Sequence, residues 1–520
     1  MEENSMEYKR YAGVLVHPTS FPGKYGIGDL GKEAYEFVDF MERSGLTIWQ
    51  VLPLGHTGFG DSPYQPFSSF AGQPLLIALD PLRENGLLLD EDFNDMPQWN
   101  SQKVEYGKVI EFKTRLLKKA FERYIDPDVE DDCSTDEEFV EAYDKFKSDS
   151  KWLDDYALFM AAKDHFQGMP WYMWEDSIKK PNAKQKSAWM EKLSDKIEYY
   201  RFIQFLFHKQ WFELKEYANE KDIKIIGDIP IFVAWDSVDV WANKKLFDLD
   251  SKGYPKKVAG VPPDFFSATG QLWGNPLYKW SEHTKTGYEW WISRISHQLE
   301  IADYVRLDHF RAFDKYWAVP YGEETAIKGK WTKAPGVDFM THLESALAHN
   351  MPIIAEDLGF IEQSVLDLRE RFNIPGMKIL QFGFGNLEDN DYLPHNCVRN
   401  CICYTSTHDN DTMVGWYRCV PEQNKDRFRR YFNTDGNDVS WTFICACFSS
   451  VANMAIVPMQ DILSLDSWSR YNVPGVGDGN WAWRFKLEDM NPYLEKRLFE
   501  TAKLYGRAKD KEEQEEQEED

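Results

Sequence analysis

The segment YVRLDHFR at residues 304–311 decides the fold of this 520-residue chain. Its apolar run ends in Asp308, the pattern of a buried parallel strand whose C-terminal end carries a functional side chain. Seven other runs have the same character, and most are separated by enough residues for a crossover helix. The eight predicted strands are residues 13–17, 47–53, 225–232, 303–309, 353–357, 377–382, 401–408 and 455–461. This alternation predicts an α/β fold, a (β/α)8 TIM barrel.

The chain length also allows two domains, and composition alone does not choose. Residues 81–200 are charged and helix-prone, which indicates a helical insertion between barrel parts at 1–80 and 201–505. We therefore predict helical insertions and no separate C-terminal β-sandwich domain. Residues 506–520 contain almost nothing to bury and are expected to form an acidic disordered tail. The acidic stretch 126–138 lacks EF-hand spacing and is predicted to be a surface loop rather than a calcium site.

Composition narrows the possible ligands. A net charge of −26 argues against nucleic acid, because phosphate backbones require clustered Lys and Arg. The 20 Trp suggest a carbohydrate-stacking surface, with core filling as the alternative. Seven Cys without a C-x-x-C pair favour reduced thiols and a cytoplasmic protein over a disulfide framework. The start has no signal-peptide pattern, and no apolar run is long enough to span a bilayer, so no membrane association is expected.

Three strand-like runs end in acids that could act together. YVRLDHFR carries Asp308, IIAEDLG at 353–359 carries Glu356, and CYTSTHDNDT at 403–412 carries Asp409. All three would reach the C-terminal rim of the barrel, where barrel active sites lie. Retaining cleavage of a glycosidic bond needs one carboxylate nucleophile and one protonated carboxyl group about 5 to 5.5 Å apart. Neighbouring strands on one rim can supply that spacing.

The residues around these acids suggest how their roles are divided. Arg306 shares a strand face with Asp308, so its guanidinium is expected to keep Asp308 ionised and to lower its pKa. Apolar residues precede Glu356, which is expected to raise its pKa and keep it protonated. Asp357 points to the other face of its strand and is interpreted as structural. Cys397, Cys401 and Cys403 could suggest a thiol or metal site, but alternate positions on a core strand explain them more simply.

Longer motifs connect the chain to a known family. They are GVLVHPTSFPGKYGIGDLG at 13–31, WQVLPLGHTGFGDSPYQPFSSFAGQP at 49–74, IIGDIPIFVAWDSVDVWAN at 225–243, GVPPDFFSATGQLWGNPLYKW at 260–280, the three acid-bearing segments, and GNWAWR at 479–484. Together they closely resemble the amylomaltase or disproportionating-enzyme family, glycoside hydrolase family 77 of the alpha-amylase clan. The resemblance implies a 4-alpha-glucanotransferase that transfers alpha-1,4-glucan segments by a retaining double displacement.

The resemblance also implies roles for individual residues. Asp308 corresponds to the family's nucleophile, Glu356 to its acid/base and Asp409 to the carboxylate that stabilises the transition state. The implied substrate contacts are Tyr64, Asp228, Asp264, Phe266, Gln271, Trp273, Arg306, His408 and Asn472, with an active-site loop at 258–280. From the residues alone, Asp228 could instead be a helix-capping or turn residue.

The implied partners are an alpha-1,4-glucan donor and a maltooligosaccharide or glucose acceptor, with no cofactor and no metal; the oligomeric state is not specified. The sequence departs from the family pattern at Ala268, Asp466 and Tyr471. Because of these departures, the resemblance implies the reaction but not the acceptor preference. Two rival functions stay open at this point. One is an alpha-glucan hydrolase of the same clan, and the other is a catalytically silent glucan-binding protein.

Overall fold

The computed structural model describes residues 10–126, 137–263, 267–359, 361–385 and 390–508, and these contain twelve β-strands. The strands are β1 Tyr11–Leu15, β2 Ile48–Gln50, β3 Lys224–Ile229, β4 Lys257–Val261, β5 Gln271–Pro276, β6 Tyr304–Leu307, β7 Lys315–Pro320, β8 Lys330–Lys333, β9 Ile353–Ala355, β10 Gly376–Ile379, β11 Cys401–Tyr404 and β12 Met454–Pro458.

Eight of these strands form one parallel sheet in the order β10-β11-β12-β1-β2-β3-β6-β9. Each of the eight lies within or overlaps one of the predicted runs, so the predicted (β/α)8 barrel is confirmed. The strands are short and almost entirely buried, which is why each reads as a continuous apolar run rather than an alternating one.

The barrel closes between β9 and β10 through a backbone bond and a side chain. The Ala355 N–H donates to the carbonyl oxygen of Pro375 at 2.9 Å. Two residues beyond β9, the Asp357 carboxylate accepts from the Met377 N–H at 2.8 Å and pairs with Arg369. Asp357 is therefore structural, as predicted, because its carboxylate joins the last two strands of the ring.

Helices surround the barrel and fill the long connection between β2 and β3. Those of the connection are α2 Asp80–Glu84, α3 Tyr106–Tyr124, α4 Glu137–Asp149, α5 Leu153–His165, α6 Asp176–Lys179, α7 Ala183–Lys192 and α8 Ser194–Glu220. The others are α1 Lys32–Arg43, α9 Val238–Ala242, α10 Trp280–Lys285, α11 Glu289–Ile301, α12 Gly336–Ala346, α13 Gln363–Arg371, α14 Met413–Cys419, α15 Glu422–Phe432, α16 Val439–Ser449, α17 Met459–Ile462 and α18 Pro492–Leu504.

The remaining four strands form an antiparallel sheet in the order β5-β4-β7-β8, which the sequence did not predict. Strands β4 and β5 lie inside the range 258–280 or overlap it, while β7 and β8 follow β6. This sheet extends from the loops after β3 and β6, on the side of the barrel that carries the predicted catalytic residues.

Many of the tryptophans fill the core. Trp49, Trp171, Trp174, Trp211 and Trp291 are among the largest fully buried side chains. For these five, core filling rather than carbohydrate stacking explains the residue type. Among the helices of the described ranges, none is long and apolar enough to cross a membrane.

Candidate active site

The site begins where two neighbouring parallel strands end together. Leu307 of β6 and Ala355 of β9 are register partners, and the next residues along each strand are Asp308 and Glu356. Parallel strands lie about 4.8 Å apart, so the two carboxyl groups start from adjacent positions on the rim. Asp409 lies five residues beyond the end of β11, in the loop that follows that strand.

A buried ion cluster lies beneath Asp308. Nη1 of Arg306 is 2.8 Å from both carboxylate oxygens of Asp228, and its Nη2 is 2.9 Å from Oδ1 of Asp308. Arg306 and Asp228 are only 3% and 2% exposed, so water does little to screen this cluster. Tyr64 donates its hydroxyl proton to Asp228 at 2.8 Å. These contacts make Asp228 a partner of Arg306 rather than a helix cap or a turn residue.

Glu356 is oriented by the backbone of its neighbours. The His309 N–H donates to its Oε2 at 2.7 Å, and the Leu358 N–H donates to its Oε1 at 2.8 Å. His309 has a left-handed backbone conformation with φ 51°, which turns the chain immediately after Asp308. Sequence reasoning missed this role of His309, since a backbone donor leaves no signal in residue type.

The pKa values of both carboxyl groups are raised. Burial raises the pKa of Glu356 to about 7, and the nearby charge of Asp308 acts in the same direction. Burial also raises the pKa of Asp308 to about 6, although Arg306 acts to lower it. The prediction of opposite shifts is therefore wrong, because the cost of desolvating Asp308 exceeds the attraction of one guanidinium that Asp228 shares.

Asp409 is surrounded by groups that keep it ionised. Its Oδ2 lies 3.4 Å from Nε2 of His408, and its Oδ1 accepts from Asn472 Nδ2 at 2.6 Å. Loss of solvent in the cleft opposes ionisation only in part, since the Asp409 side chain is 48% exposed. The charge and hydrogen bond of His408, together with Asn472, hold the pKa of Asp409 below its usual range. In turn, Asp409 raises the pKa of His408 against the effect of burial. The structure therefore brings three of the predicted site residues into contact.

Aromatic rings form a wall beside the carboxylates. Tyr64 stacks on His408 with ring centres 5.1 Å apart and an interplanar angle of 19°. Trp481 contacts both rings, at 5.7 Å from Tyr64 and 5.9 Å from His408. Trp481 belongs to the GNWAWR motif, but no single residue of that motif was predicted to line the site.

A second wall comes from β5 of the small sheet. Trp273 meets the His309 ring edge-on at 4.9 Å, and its indole N–H donates to Gln271 at 3.1 Å. Both side chains are thus placed near the loop that orients Glu356. Two other predicted contacts, Asp264 and Phe266, lie outside the described residues.

The three positions that depart from the family pattern have different surroundings. Tyr471 is buried, and its hydroxyl accepts from the His17 N–H at 3.1 Å. Asp466 pairs with Arg418 at the surface. Ala268 lies in the turn that precedes β5. None of these residues contacts the three acids in a bond that we observe within the described ranges.

A metal site and a thiol function are the two other kinds of site that the sequence raised. Within the described ranges, no three His, Cys, Asp or Glu side chains are grouped so that they could hold a metal ion. Cys401 and Cys403 alternate on β11 as predicted, whereas Cys397 precedes that strand, after a turn at Pro394–Asn396, so its predicted strand position is wrong. All three are buried free thiols.

Comparisons with known proteins agree with this geometry. Residues 16–489 match the family model described as 4-alpha-glucanotransferase. The chain belongs to glycoside hydrolase family 77. Among family 77 relatives, it is 45% identical over 502 residues to a 4-alpha-glucanotransferase of Synechocystis sp., covering 96% of this chain and 98% of the relative. It is 44% identical over 497 residues to a 4-alpha-glucanotransferase of Clostridium butyricum, covering 95% and 100%.

One solved structure is also similar to this chain. The amylomaltase from Streptococcus agalactiae in complex with acarbose superposes with a TM-score of 0.92 at 39% identity, covering 96% of this chain and 100% of that one. The family resemblance and the barrel fold are therefore both confirmed.

Proposed function

We infer that this protein is a 4-alpha-glucanotransferase that transfers alpha-1,4-glucan segments from a donor chain to an acceptor. Membership of family 77 supports transfer over the rival hydrolase reaction. The observation that carries the mechanism is the pairing of Asp308 and Glu356 on adjacent strands in register. This placement suits the short carboxyl separation of a retaining double displacement.

In the proposed first step, a carboxylate oxygen of Asp308 attacks the anomeric carbon of the donor. The bond to the leaving oxygen breaks, and Glu356 gives its proton to that oxygen. The donor's reducing-end segment departs, leaving a glucosyl ester on Asp308. The contacts support this division of labour, because Arg306 pairs with Asp308 and stabilises its ionised form, whereas burial and the charge of Asp308 raise the pKa of Glu356.

In the second step, Glu356 is a carboxylate and accepts the proton of the acceptor's 4-hydroxyl. The acceptor oxygen bonds to the anomeric carbon, and the ester to Asp308 breaks. Two inversions retain the alpha configuration. Asp409, held ionised by His408 and Asn472, is proposed to bind sugar hydroxyls as positive charge develops on the ring.

Transfer requires that an acceptor hydroxyl reach the ester more readily than water does. We propose that Trp273 and Gln271 of β5 bind acceptor sugars next to the acid/base. Tyr64 and His408 form a stacked pair on the other side and are proposed to contact the sugar at the cleaved bond, with Arg306 and Asp228 below. Asp264 and Phe266 remain predicted substrate contacts.

We propose an alpha-1,4-glucan donor and a maltooligosaccharide or glucose acceptor as the partners, and a cytoplasmic location. The strongly acidic chain lacks the basic character that nucleic-acid binding requires. The six cysteines in the described part of the chain are free thiols, the form typical of a reducing compartment.

The test is incubation with maltotriose, with free glucose and longer maltooligosaccharides separated by chromatography. A transferase forms glucose together with maltotetraose and longer products. Asp308→Asn and Glu356→Gln should abolish both, whereas the surface variant Glu370→Gln should match the parent. Glucose and maltose without longer products would identify a hydrolase. Glucan binding without any turnover would identify the silent binding protein.

A further inference from the structure

A second concave surface lies between the helical connection and the outside of the barrel. It is a groove of about 910 Å³, with α4, α5 and α8 on one side and α9 and α11 on the other. No residue of the active site lines it. We call it the outer groove, and its volume falls in the range typical of ligand pockets.

The outer groove contains a continuous series of rings. Consecutive ring centres are 4.2 to 6.4 Å apart along the series Phe212, His208, Phe146, Trp152 and Phe70. All but Phe146 are half-buried, so their ring surfaces are accessible from the groove. Phe146, Trp152 and Phe212 pack their inner faces against the core, while all five rings line the groove, so the series offers a ligand a continuous aromatic surface.

Hydroxyl groups accompany the rings. Ser150, Ser293 and Ser296 line the outer groove, and within the described ranges their hydroxyls make no hydrogen bond to other protein groups. They can therefore donate to a ligand or accept from it. Trp290, Ser293, Ser296 and Glu300 follow one face of α11, over about 15 Å at 1.5 Å per residue.

The charges around the outer groove nearly balance. Three lysines and four acids line it, and no arginine does. Asp155 is already paired with Lys186 at 2.6 Å. This lining does not select a phosphate or a strongly acidic ligand, which would need clustered cations. A long neutral molecule with apolar faces and hydroxyl edges fits it best.

We propose that the outer groove binds an alpha-1,4-glucan chain away from the catalytic site. Glucose rings present C–H faces that pack on aromatic rings and hydroxyl edges that meet the serines. The proposal rests on the glucan activity inferred above. Helix α11 leads directly into β6, and Asp308 lies beyond the far end of that strand. A chain held outside the barrel wall would thus anchor a polymer without occupying the catalytic cleft.

The test uses the Asp308→Asn protein, which should not consume its ligand, in native gels containing amylose. In that background, Ser293→Trp fills the outer groove from an exposed helix position, and Trp152→Ala removes one ring of the series. Ser345→Trp on α12 is the matched control at an exposed serine outside the groove. Because Trp152 also packs against the core, Ser293→Trp is the decisive variant.

We expect Ser293→Trp to raise the apparent dissociation constant for amylose at least about threefold, because an amylose chain bound at both the catalytic cleft and the outer groove is held more tightly than one bound at the cleft alone. Ser345→Trp should leave this constant unchanged. With Asp308 restored, Ser293→Trp should raise KM for amylose but leave kcat/KM for maltotriose unchanged. If amylose in the gel retards the Asp308→Asn protein equally with and without Ser293→Trp, the proposal is overturned. If the enzyme with Asp308 intact fails to rearrange maltotriose, the proposed function is refuted instead. The gel comparison would still show whether the outer groove binds amylose.

Discussion

Replacing Arg306 with Met should move the whole pH profile of the enzyme to higher pH. Arg306 is almost fully buried and lies between Asp228 and Asp308 as their shared cation. It acts to lower the pKa of Asp308, and more weakly that of Glu356. Without it, burial and the mutual repulsion of the carboxylates are opposed only by His408 and by the backbone N–H bonds to Glu356, so both pKa values should rise.

The size of the effect follows from the pKa values in the site. With a pKa of about 6, Asp308 is roughly three-quarters ionised at about pH 6.5. A neighbouring opposite charge typically shifts a carboxyl pKa by about 1 to 3 units. A rise of about one unit leaves roughly a quarter of the Asp308 groups ionised at that pH. Because only the ionised form can attack, activity there should fall at least about threefold.

The assay is kcat/KM for maltotriose measured from acid to alkaline pH, which reports the ionisations of the free enzyme. The acid limb should move up by at least about one unit, and the alkaline limb should follow. Arg306→Lys keeps the charge and should shift less, while a thermal melt shows that each variant is folded. A profile that loses height but keeps both limbs in place would refute this account of Arg306.

Three other outcomes are expected. Asn472→Ala removes a 2.6 Å bond to Asp409 and should lower kcat/KM for maltotriose about tenfold or more, as expected for a bond to a charged group; an unchanged value would exclude Asn472 from the site. Lys113→Met leaves the buried Asp29 with its Gly31 N–H bond but without its cation and should reduce the free energy of unfolding by about 3–5 kcal/mol in denaturant melts; an unchanged value would show that the ion pair does not stabilise the fold. Gly13→Ala places a Cβ 2.4 Å from the Ile48 carbonyl oxygen and should cost about 1–3 kcal/mol, whereas Gly107→Ala, with open space around it, should cost nothing.

The barrel could be predicted from the sequence because of how its strands are buried. Parallel strands covered on both sides read as continuous apolar runs, and IIA before Glu356 is an example. The small sheet could not be predicted in the same way. Its strand β8 is largely exposed and reads KWTK, and β4 pairs with β7 more than fifty residues away. Neither feature leaves a local apolar pattern.

The candidate site could likewise be predicted only in part. The positions of Asp308 and Glu356 followed from strand ends, and Arg306 was expected beside Asp308 from their spacing of two residues. The direction of the Asp308 pKa shift did not follow, because it depends on how much water the folded chain removes. The backbone donor at His309 was also missed, since the turn geometry rather than the imidazole creates it.

The closure of the barrel by Asp357 has a consequence for how the protein loses activity on heating. The acid/base and the residue that joins β9 to β10 are neighbours in sequence, so the position of Glu356 depends on the integrity of this joint. If the ring opens first at this point, Glu356 loses the support of β10 and keeps only its contacts on the β6 side, such as the His309 N–H bond. Asp308 keeps its place, because Arg306 joins it to Asp228 of β3. Inactivation would then precede global melting, and amide hydrogen exchange at Met377 would accelerate before that of residues in β1 or β2.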